Sequence, residues 1–408
     1  MRCRHCSSTY LHPVIDLGTS PPSNAFPPIG TDPATEPRLP LRAVVCTECW
    51  LMQTEDVIGR EELFASDYAY YSSYSTSWLA HAERHVEQMA TELSLGPNDL
   101  VIEVASNDGY LLQHASARGI GVLGIEPTAG TAAVARERGI PTVERFFGRE
   151  LAEELASEGR CPRLMVANNV LAHVPDINDF VSGFPVLLAP DGVATFEFPH
   201  LLVLLRDGLY DTIYHEHYSY LSLGTVQRIF RENGLRVVDV EELSTHGGSL
   251  RVHAVLSGSP REELRGVGTM VERERQAGLF VTDGYRRLQG LADTTRDWLR
   301  GLLAEEHAAG HTVAGYGAAA KGTTLLNHAG ITEKTLQFVA DRNPAKHARQ
   351  MPGTGIPIVS SSRLVKIQPD LLVIFPWNLR SEIVEQLAGA QSWGVRFAVP
   401  LPHTRVWR

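Results

Sequence analysis

The chain has 408 residues, more than one ordinary hydrophobic core accommodates, so two or three domains are expected. Its formal net charge of -10 excludes a bulk polyanion binder, while a local basic patch could still receive a phosphate-bearing small molecule. No apolar run approaches the roughly 20 residues a membrane span needs, and the start, Met1-Arg2-Cys3-Arg4-His5-Cys6, lacks a signal-peptide core. The expectation is a cytoplasmic protein that engages neither nucleic acid nor membrane.

Four of the five cysteines fall into Cys3-x-x-Cys6 and Cys46-x-x-Cys49. Two such knuckles offer four thiolates to one tetrahedral zinc, and a complete sulfur set leaves no open position, so the zinc is expected to be structural. Pro21, Pro22, Pro27, Pro28, Pro33, Pro37 and Pro40 lie between the knuckles. That predicts a loop-rich module with little core of its own, the kind that a metal stabilises. His5 is an unneeded alternative ligand. Cys161 is left over and is expected to be a buried or half-buried thiol.

Next comes a hydroxyl-rich run from Phe64 to Ser75 that includes Tyr68, Tyr70, Ser72 and Ser73. It suits a lid over a polar ligand or a helix start packed on the next domain. A helix is predicted from about Ser77 to Leu93.

Leu100 to Ala105 reads as a buried strand broken by Ser106-Asn107-Asp108-Gly109, and a second strand, Gly121 to Ile125, ends on Glu126. An acidic residue there can accept hydrogen bonds from both hydroxyls of an adenosine ribose. The first turn carries acid and amide side chains and one glycine in place of G-x-G-x-x-G. It suits a cationic nucleoside without phosphate, and S-adenosylmethionine fits. A strand ending at Asn168-Asn169, with His173 beyond it, and another from Val193 to Phe198 continue the pattern of a class I methyltransferase sheet.

From that last strand hangs Tyr210-Asp-Thr-Ile-Tyr214-His215-Glu216-His217-Tyr218-Ser-Tyr220. Imidazole, carboxylate and phenol together suit proton transfer beside a developing oxyanion. Two histidines at this spacing could also be metal ligands, and a polar aromatic loop could be plain surface. A helix and strand follow, then His246-Gly247-Gly248, which reads equally as an anion cradle or as a turn into an antiparallel strand.

Connecting helices are expected between about Pro260 and Ala309. Thr312 to Thr324 then forms strand, glycine-rich turn and helix start around Gly315-Tyr316-Gly317 and Lys321, where amides and a lysine could meet a phosphate, with Thr323 adding a hydroxyl. Further strands end at Asp341-Arg342-Asn343-Pro344-Ala345-Lys346, polar residues where a nucleoside could lie, and at Phe375-Pro376-Trp377-Asn378. Both halves look nucleotide-binding.

Over essentially its whole length the chain resembles the three-domain sugar C-methyltransferases that act on nucleotide-linked 4-keto-6-deoxyhexoses. The resemblance rests on Cys3/Cys6/Cys46/Cys49, Tyr68-Ala-Tyr70-x-Ser72-Ser73, Glu103-x-x-x-Asn107-Asp108-Gly109, Tyr214-His-Glu216-His217, His246-Gly247-Gly248 and Gly315-Tyr316-Gly317-Ala318-x-Ala320-Lys321. It implies an α/β protein with a zinc module (1–65), a Rossmann-like methyltransferase domain (66–255), a helical connection (256–310) and a C-terminal Rossmann-like domain (311–408) that helps hold a nucleotide diphosphate. It also implies a monomer or small homo-oligomer in deoxysugar and antibiotic biosynthesis. His217 is implied as the base, with Tyr214 and Glu216 beside it and Tyr70 and His173 completing the catalytic set. Cofactor candidates are Glu103, Ser106, Asn107, Asp108, Gly109, Glu126, Asn168 and Asn169. Substrate candidates are Tyr68, Ser72, Ser73, His246, Gly247, Gly248, Tyr316, Gly317, Lys321 and Asn378. Ala105 departs from the glycine that many methyltransferases carry beneath the cofactor. Competing readings are another enolisable or hydroxyl acceptor, and an NAD(P)-dependent sugar-nucleotide oxidoreductase.

Overall fold

A computed structural model describes residues 1–55, 57–63 and 71–408. The N-terminal sheet is antiparallel: β1 (Leu11–Ser20) pairs with β2 (Leu39–Cys46), and β2 with β3 (Met52–Thr54). Between β1 and β2 the prolines leave only the three-residue turn Pro33–Thr35, because proline cannot donate to a ladder.

The helix Thr76–Glu92 starts on Ser75, whose Oγ accepts Trp78 N–H at 3.3 Å, and buries His81, His85, Val86 and Met89. It packs on a seven-stranded sheet. In chain order these strands are β4 (Leu100–Val104), β5 (Gly121–Ile125), β6 (Thr142–Val143), β7 (Leu164–Asn168) and β8 (Val193–Pro199). The short β9 (Ser219–Tyr220) leaves the sheet, and β10 (Leu235–Leu243) and β11 (Ser249–Leu256) complete it. The order β10-β11-β8-β7-β4-β5-β6, with β11 antiparallel to both neighbours, is that of a class I methyltransferase. Strands such as β7, buried at every position, are covered on both faces as a parallel sheet requires. The order reverses between β4 and β7, which opens a crevice at their carboxyl ends.

Two helices, Arg265–Gln276 and Arg287–Ala308, lead to the C-terminal sheet. Its strands are β12 (Val313–Tyr316), β13 (Val339–Asp341), β14 (Ile358–Ser360), β15 (Leu371–Ile374), β16 (Arg396–Val399) and β17 (Arg405–Trp407). They lie in the order β14-β13-β12-β15-β16-β17, parallel except for β17. This is a second Rossmann-like sheet whose own crevice lies between β12 and β15.

β9 joins the parts. It pairs with β3 through Met52–Tyr220 and Gln53–Ser219, so the segment before it is stretched from the middle sheet to the N-terminal one. From the other side Thr324, in the helix Ala320–Ala329, donates its hydroxyl to the Ile213 carbonyl at 2.9 Å. One apolar cluster accordingly contains Leu41 and Met52, Tyr210 and Ile213, and Leu325 and Phe375. Cys161 is exposed, contrary to expectation, because it sits in the loop between Gly159 and β7. Among the described residues no helix is long and apolar enough to cross a membrane.

Candidate active site

A cavity of about 360 Å³ lies where the carboxyl ends of β4, β5 and β7 face the start of the helix Ala320–Ala329 and the turn after β15. The middle sheet supplies Asn107, Glu126, Asn168 and Asn169 to its wall. His173, Tyr214, His217 and His246 stand in the wall between, and the C-terminal domain supplies Lys321, Lys346 and Asn378.

His217 is fixed at both nitrogens. Its Nδ1 lies 2.7 Å from the Thr212 carbonyl, which can only accept, so the proton sits on Nδ1. Nε2 then carries a lone pair that receives the Tyr214 hydroxyl at 2.8 Å. Burial, with His173 next, pushes the imidazole well below its ordinary value, so it is neutral near pH 7. The ring of His173 packs edge-on at 4.6 Å between centroids, and burial holds its imidazole down at about 4. Glu216 faces elsewhere: its carboxylate accepts Ser23 Oγ–H at 2.7 Å and Asn24 N–H at 3.0 Å, tying this loop to the N-terminal module. His215 Nε2 lies 3.1 Å from the Pro40 carbonyl and is absent from the cavity wall.

At the β4–β5 end, Glu126 accepts Thr128 N–H and Asn107 N–H, each at 2.9 Å, with the Thr128 and Thr131 hydroxyls also beside its carboxylate. Burial raises its carboxyl and those amides oppose the rise. The backbone turns sharply here, with left-handed φ of 59° at Ala105, 50° at Asn107 and 53° at Asn169. Asn169 Oδ1 is buried with no hydrogen-bond partner among the described residues. The other candidates of this group lie off the wall. Glu103 is buried beside Tyr110 and its carboxyl is pushed well up. Ser106 is buried under Gly124, and Gly109 packs on Ile140. Asp108 pairs with Arg138 at 3.2 Å and receives the Ser73 hydroxyl, which fastens that serine away from the cavity. Ser72 does line it, with its N–H on Asn107 Oδ1 at 2.9 Å.

At the other end Lys321 Nζ donates to Asn378 Oδ1 at 3.1 Å and stands 4.2 Å over the Trp377 ring. Lys346 Nζ donates to the Ala318 carbonyl at 2.7 Å. Burial lowers both ammonium groups, opposed by Asp211 for Lys321 and by Asp341 for Lys346. His246 lines the cavity at φ 53° with its imidazole held at about 4 by burial. The two glycines after it pack closely on their neighbours. A Cβ on Gly247 would come within 2.2 Å of Trp377, and one on Gly248 within 2.9 Å of Val203. Tyr316 is buried and Gly317 abuts Pro376, both outside the wall. Thr323 is likewise occupied, its hydroxyl donating to the Ser23 carbonyl at 3.0 Å. Tyr68 and Tyr70 fall outside the described residues.

Several wall and support residues escape a sequence reading. Asn24 reaches the cavity from the proline-rich loop, whereas Lys346 comes from the polar stretch at the end of β13 where the sequence suggested a nucleoside could lie. Near the wall, Glu197 on β8 binds His81 at 2.7 Å, Arg251 at 2.8 Å and the Thr245 hydroxyl at 2.7 Å, fixing the turn that carries His246. These partners come from segments far apart in the chain, and no local spacing announces them.

Known families match in three consecutive blocks: a zinc binding domain over residues 3–64, a methyltransferase domain over 78–240 and a C-methyltransferase C-terminal domain over 244–402. The C-methyltransferase NovU of Streptomyces niveus is 35% identical over 404 residues, spanning 99% of this chain and 96% of that protein. The chain belongs to the C-methyltransferase family. Solved structures resemble less than half of the chain. An S-adenosylmethionine-dependent methyltransferase from Clostridium acetobutylicum has 12% identity and a TM-score of 0.36 over 43% of this chain and 91% of its own. Magnesium protoporphyrin IX methyltransferase from Synechocystis has 19% and 0.35 over 44% and 83%.

This C-methyltransferase has residues that fit both groups its family uses. The four Sγ atoms of Cys3, Cys6, Cys46 and Cys49 lie within 4.8 Å of one another, the closeness that one tetrahedral zinc demands. Each knuckle closes through a left-handed residue after its second cysteine, Ser7 at φ 59° and Trp50 at φ 63°. His5 is not needed as a ligand, since its Nδ1 bonds Asn178 Oδ1 at 2.8 Å. For S-adenosylmethionine, Glu126 has a carboxylate for ribose hydroxyls and Asn169 an unused acceptor, on the wall where a cationic nucleoside would lie.

Proposed function

We propose that this C-methyltransferase deprotonates the carbon alpha to the ketone of a nucleotide-linked 4-keto-6-deoxy sugar, a thymidine diphosphate sugar in the leading case, and methylates that carbon. The observation that carries the reading is His217: a neutral imidazole with its proton assigned to Nδ1, set in a cavity with a carboxylate and amide acceptors at one end and two half-buried lysines at the other.

When bound, S-adenosylmethionine supplies an electrophilic methyl group; Glu126, Asn107 and Asn169 would hold its nucleoside end. His217 takes the alpha proton on Nε2, the C–H bond breaks, and its electron pair passes to the ketone oxygen as an enolate. Tyr214, released from Nε2 as that nitrogen protonates, turns its hydroxyl to the enolate oxygen, with His173 beside it. The enolate carbon then forms the new C–C bond as the bond between the methyl group and the donor sulfur breaks, its electron pair staying on that sulfur, which leaves as a neutral thioether. Lys321 and Lys346 would meet the diphosphate, with Asn378 holding Lys321 in place and His246 lying toward the sugar. Tyr70 remains a proposed partner of the enolate oxygen, and Tyr68 a substrate contact. Glu216 is assigned here to holding the loop.

C-3 and C-5 both lie alpha to a 4-ketone, and the family resemblance favours C-3. The oxidoreductase reading has less support. The acidic residue that ends β13, Asp341, lies off the cavity wall, unlike Glu126. Incubation with labelled methyl donor and a panel of 4-keto-6-deoxy sugar nucleotides, followed by NMR, should place the label on a ring carbon next to the ketone. Label on oxygen, or incorporation only into dephosphorylated sugars, would refute the proposal.

A further inference from the structure

The N-terminal module holds the base loop residue by residue. His215 Nε2 meets the Pro40 carbonyl at 3.1 Å, and Glu216 receives Ser23 and Asn24. Thr54 Oγ1 donates to the His217 carbonyl at 3.0 Å, and Thr54 N–H donates to the Tyr218 carbonyl at 3.1 Å. Ser219 and Tyr220 then pair with Gln53 and Met52. No residue from 215 to 220 is skipped. Thr54 is in turn anchored to a cysteine knuckle: its carbonyl accepts Arg4 Nη2–H at 3.2 Å, and the Arg4 guanidinium lies 4.7 Å over the Tyr218 ring. Arg4 sits between Cys3 and Cys6.

The consequence concerns geometry at the reacting centre. The His217 ring is fixed through Thr212 and Tyr214, but where that ring stands depends on its own backbone, and Thr54 is the residue that bonds it from the module. A base displaced by about 1 Å can lose about a hundredfold in rate.

We propose that Thr54 is a positioning residue for His217, and that through Arg4 the four-cysteine module sets the register of the base loop, acting on proton removal as well as on folding. This rests on His217 being the base. Both Thr54 and Arg4 lie outside the cavity wall and outside the cysteine set, so their substitution leaves the contacts to either ligand and to zinc in place.

Thr54→Val keeps the side-chain shape and removes the donor, whereas Thr54→Ser keeps the donor. The measurements are kcat, KM for the nucleotide sugar, solvent-deuterium exchange at its alpha carbon, S-adenosylmethionine affinity by calorimetry, zinc content and Tm. Thr54→Val is expected to lower exchange and kcat about tenfold or more, with one zinc retained and cofactor affinity within about twofold of the parent. Thr54→Ser should recover most of the loss. Arg4→Met should lower the same two rates less, again with zinc bound. Unchanged exchange in Thr54→Val, a serine variant no better than valine, or a loss that tracks zinc content would each overturn the proposal. A parallel His217→Asn variant separates the two claims: exchange surviving in it overturns the base assignment, whereas exchange lost in it but intact in Thr54→Val overturns the positioning role alone.

Discussion

Trp377 donates its indole N–H to Asp211 at 2.7 Å, across 166 positions of sequence. The ammonium of Lys321 stands 4.2 Å over the same ring, and the Gly247 backbone lies so close to its edge that no side chain fits between them. One indole therefore registers the base loop, the first turn of the helix Ala320–Ala329 and the His246 turn against each other. Asp211 immediately precedes Thr212, whose carbonyl fixes the proton of His217.

Trp377→Phe keeps a ring beneath Lys321 but removes the indole donor from the buried Asp211 Oδ2. The expected cost is about 2 kcal/mol of stability, read by urea denaturation, because Asp211 is fully buried and would keep an unmet acceptor. The KM for the nucleotide sugar should rise with it.

Ala105 occupies a left-handed conformation, φ 59°, that suits glycine better, and it is held there by its N–H on the Ile125 carbonyl at 2.7 Å. The departure noted in the sequence is thus a local strain of about 1 kcal/mol. Ala105→Gly should be stabilising or neutral after the added freedom of the unfolded chain is counted, whereas Ala105→Val should destabilise by more than about 1 kcal/mol. Thermal melts of the pair decide the matter.

Glu126 is expected to accept the ribose hydroxyls. Glu126→Ala should weaken S-adenosylmethionine about ten- to a hundredfold by calorimetry, the loss typical of hydrogen bonds to a charged group, and leave nucleotide-sugar affinity near the parent's.

Burial depresses three imidazoles on the cavity wall, His173 and His246 to about 4 and His217 well below the ordinary value. Protonation then favours the unfolded chain: their contribution to stability is whole above about pH 6.5 and is lost as pH falls toward 4. His173 and His246 should each account for up to about 3 kcal/mol of that loss, and a double asparagine variant should flatten the stability profile across that window.

What the sequence conveyed follows from how local each signal is. The strands, the four cysteines and the proline-rich loop were legible because buried runs, knuckle spacing and backbone restriction are written in neighbouring residues. The density of titratable groups likewise pointed to the loop that carries Tyr214 and His217 to the cavity. Glu216 stands beside His217 in sequence yet points to Ser23 and Asn24, because the chain turns there, His217 N–H bonding the Tyr214 carbonyl at 2.9 Å. The glycines at 247 and 248 suggested an anion cradle or a turn into an antiparallel strand; that strand, β11, follows, and their backbones also lie against Trp377 and Val203, contacts that no spacing reveals. Asp108 and Gly109 share a turn with Asn107 and face away from the cavity. The Glu197–His81–Arg251 cluster was silent because its members come from three distant elements.

The central claim is that His217 removes the alpha proton. The most direct measurement is deuterium exchange at the carbon next to the ketone of the nucleotide sugar in heavy water, followed by NMR for the parent and for His217→Asn. The account predicts exchange in the parent and none above background in the variant, with both still binding S-adenosylmethionine. Exchange at the parental rate in His217→Asn would contradict it.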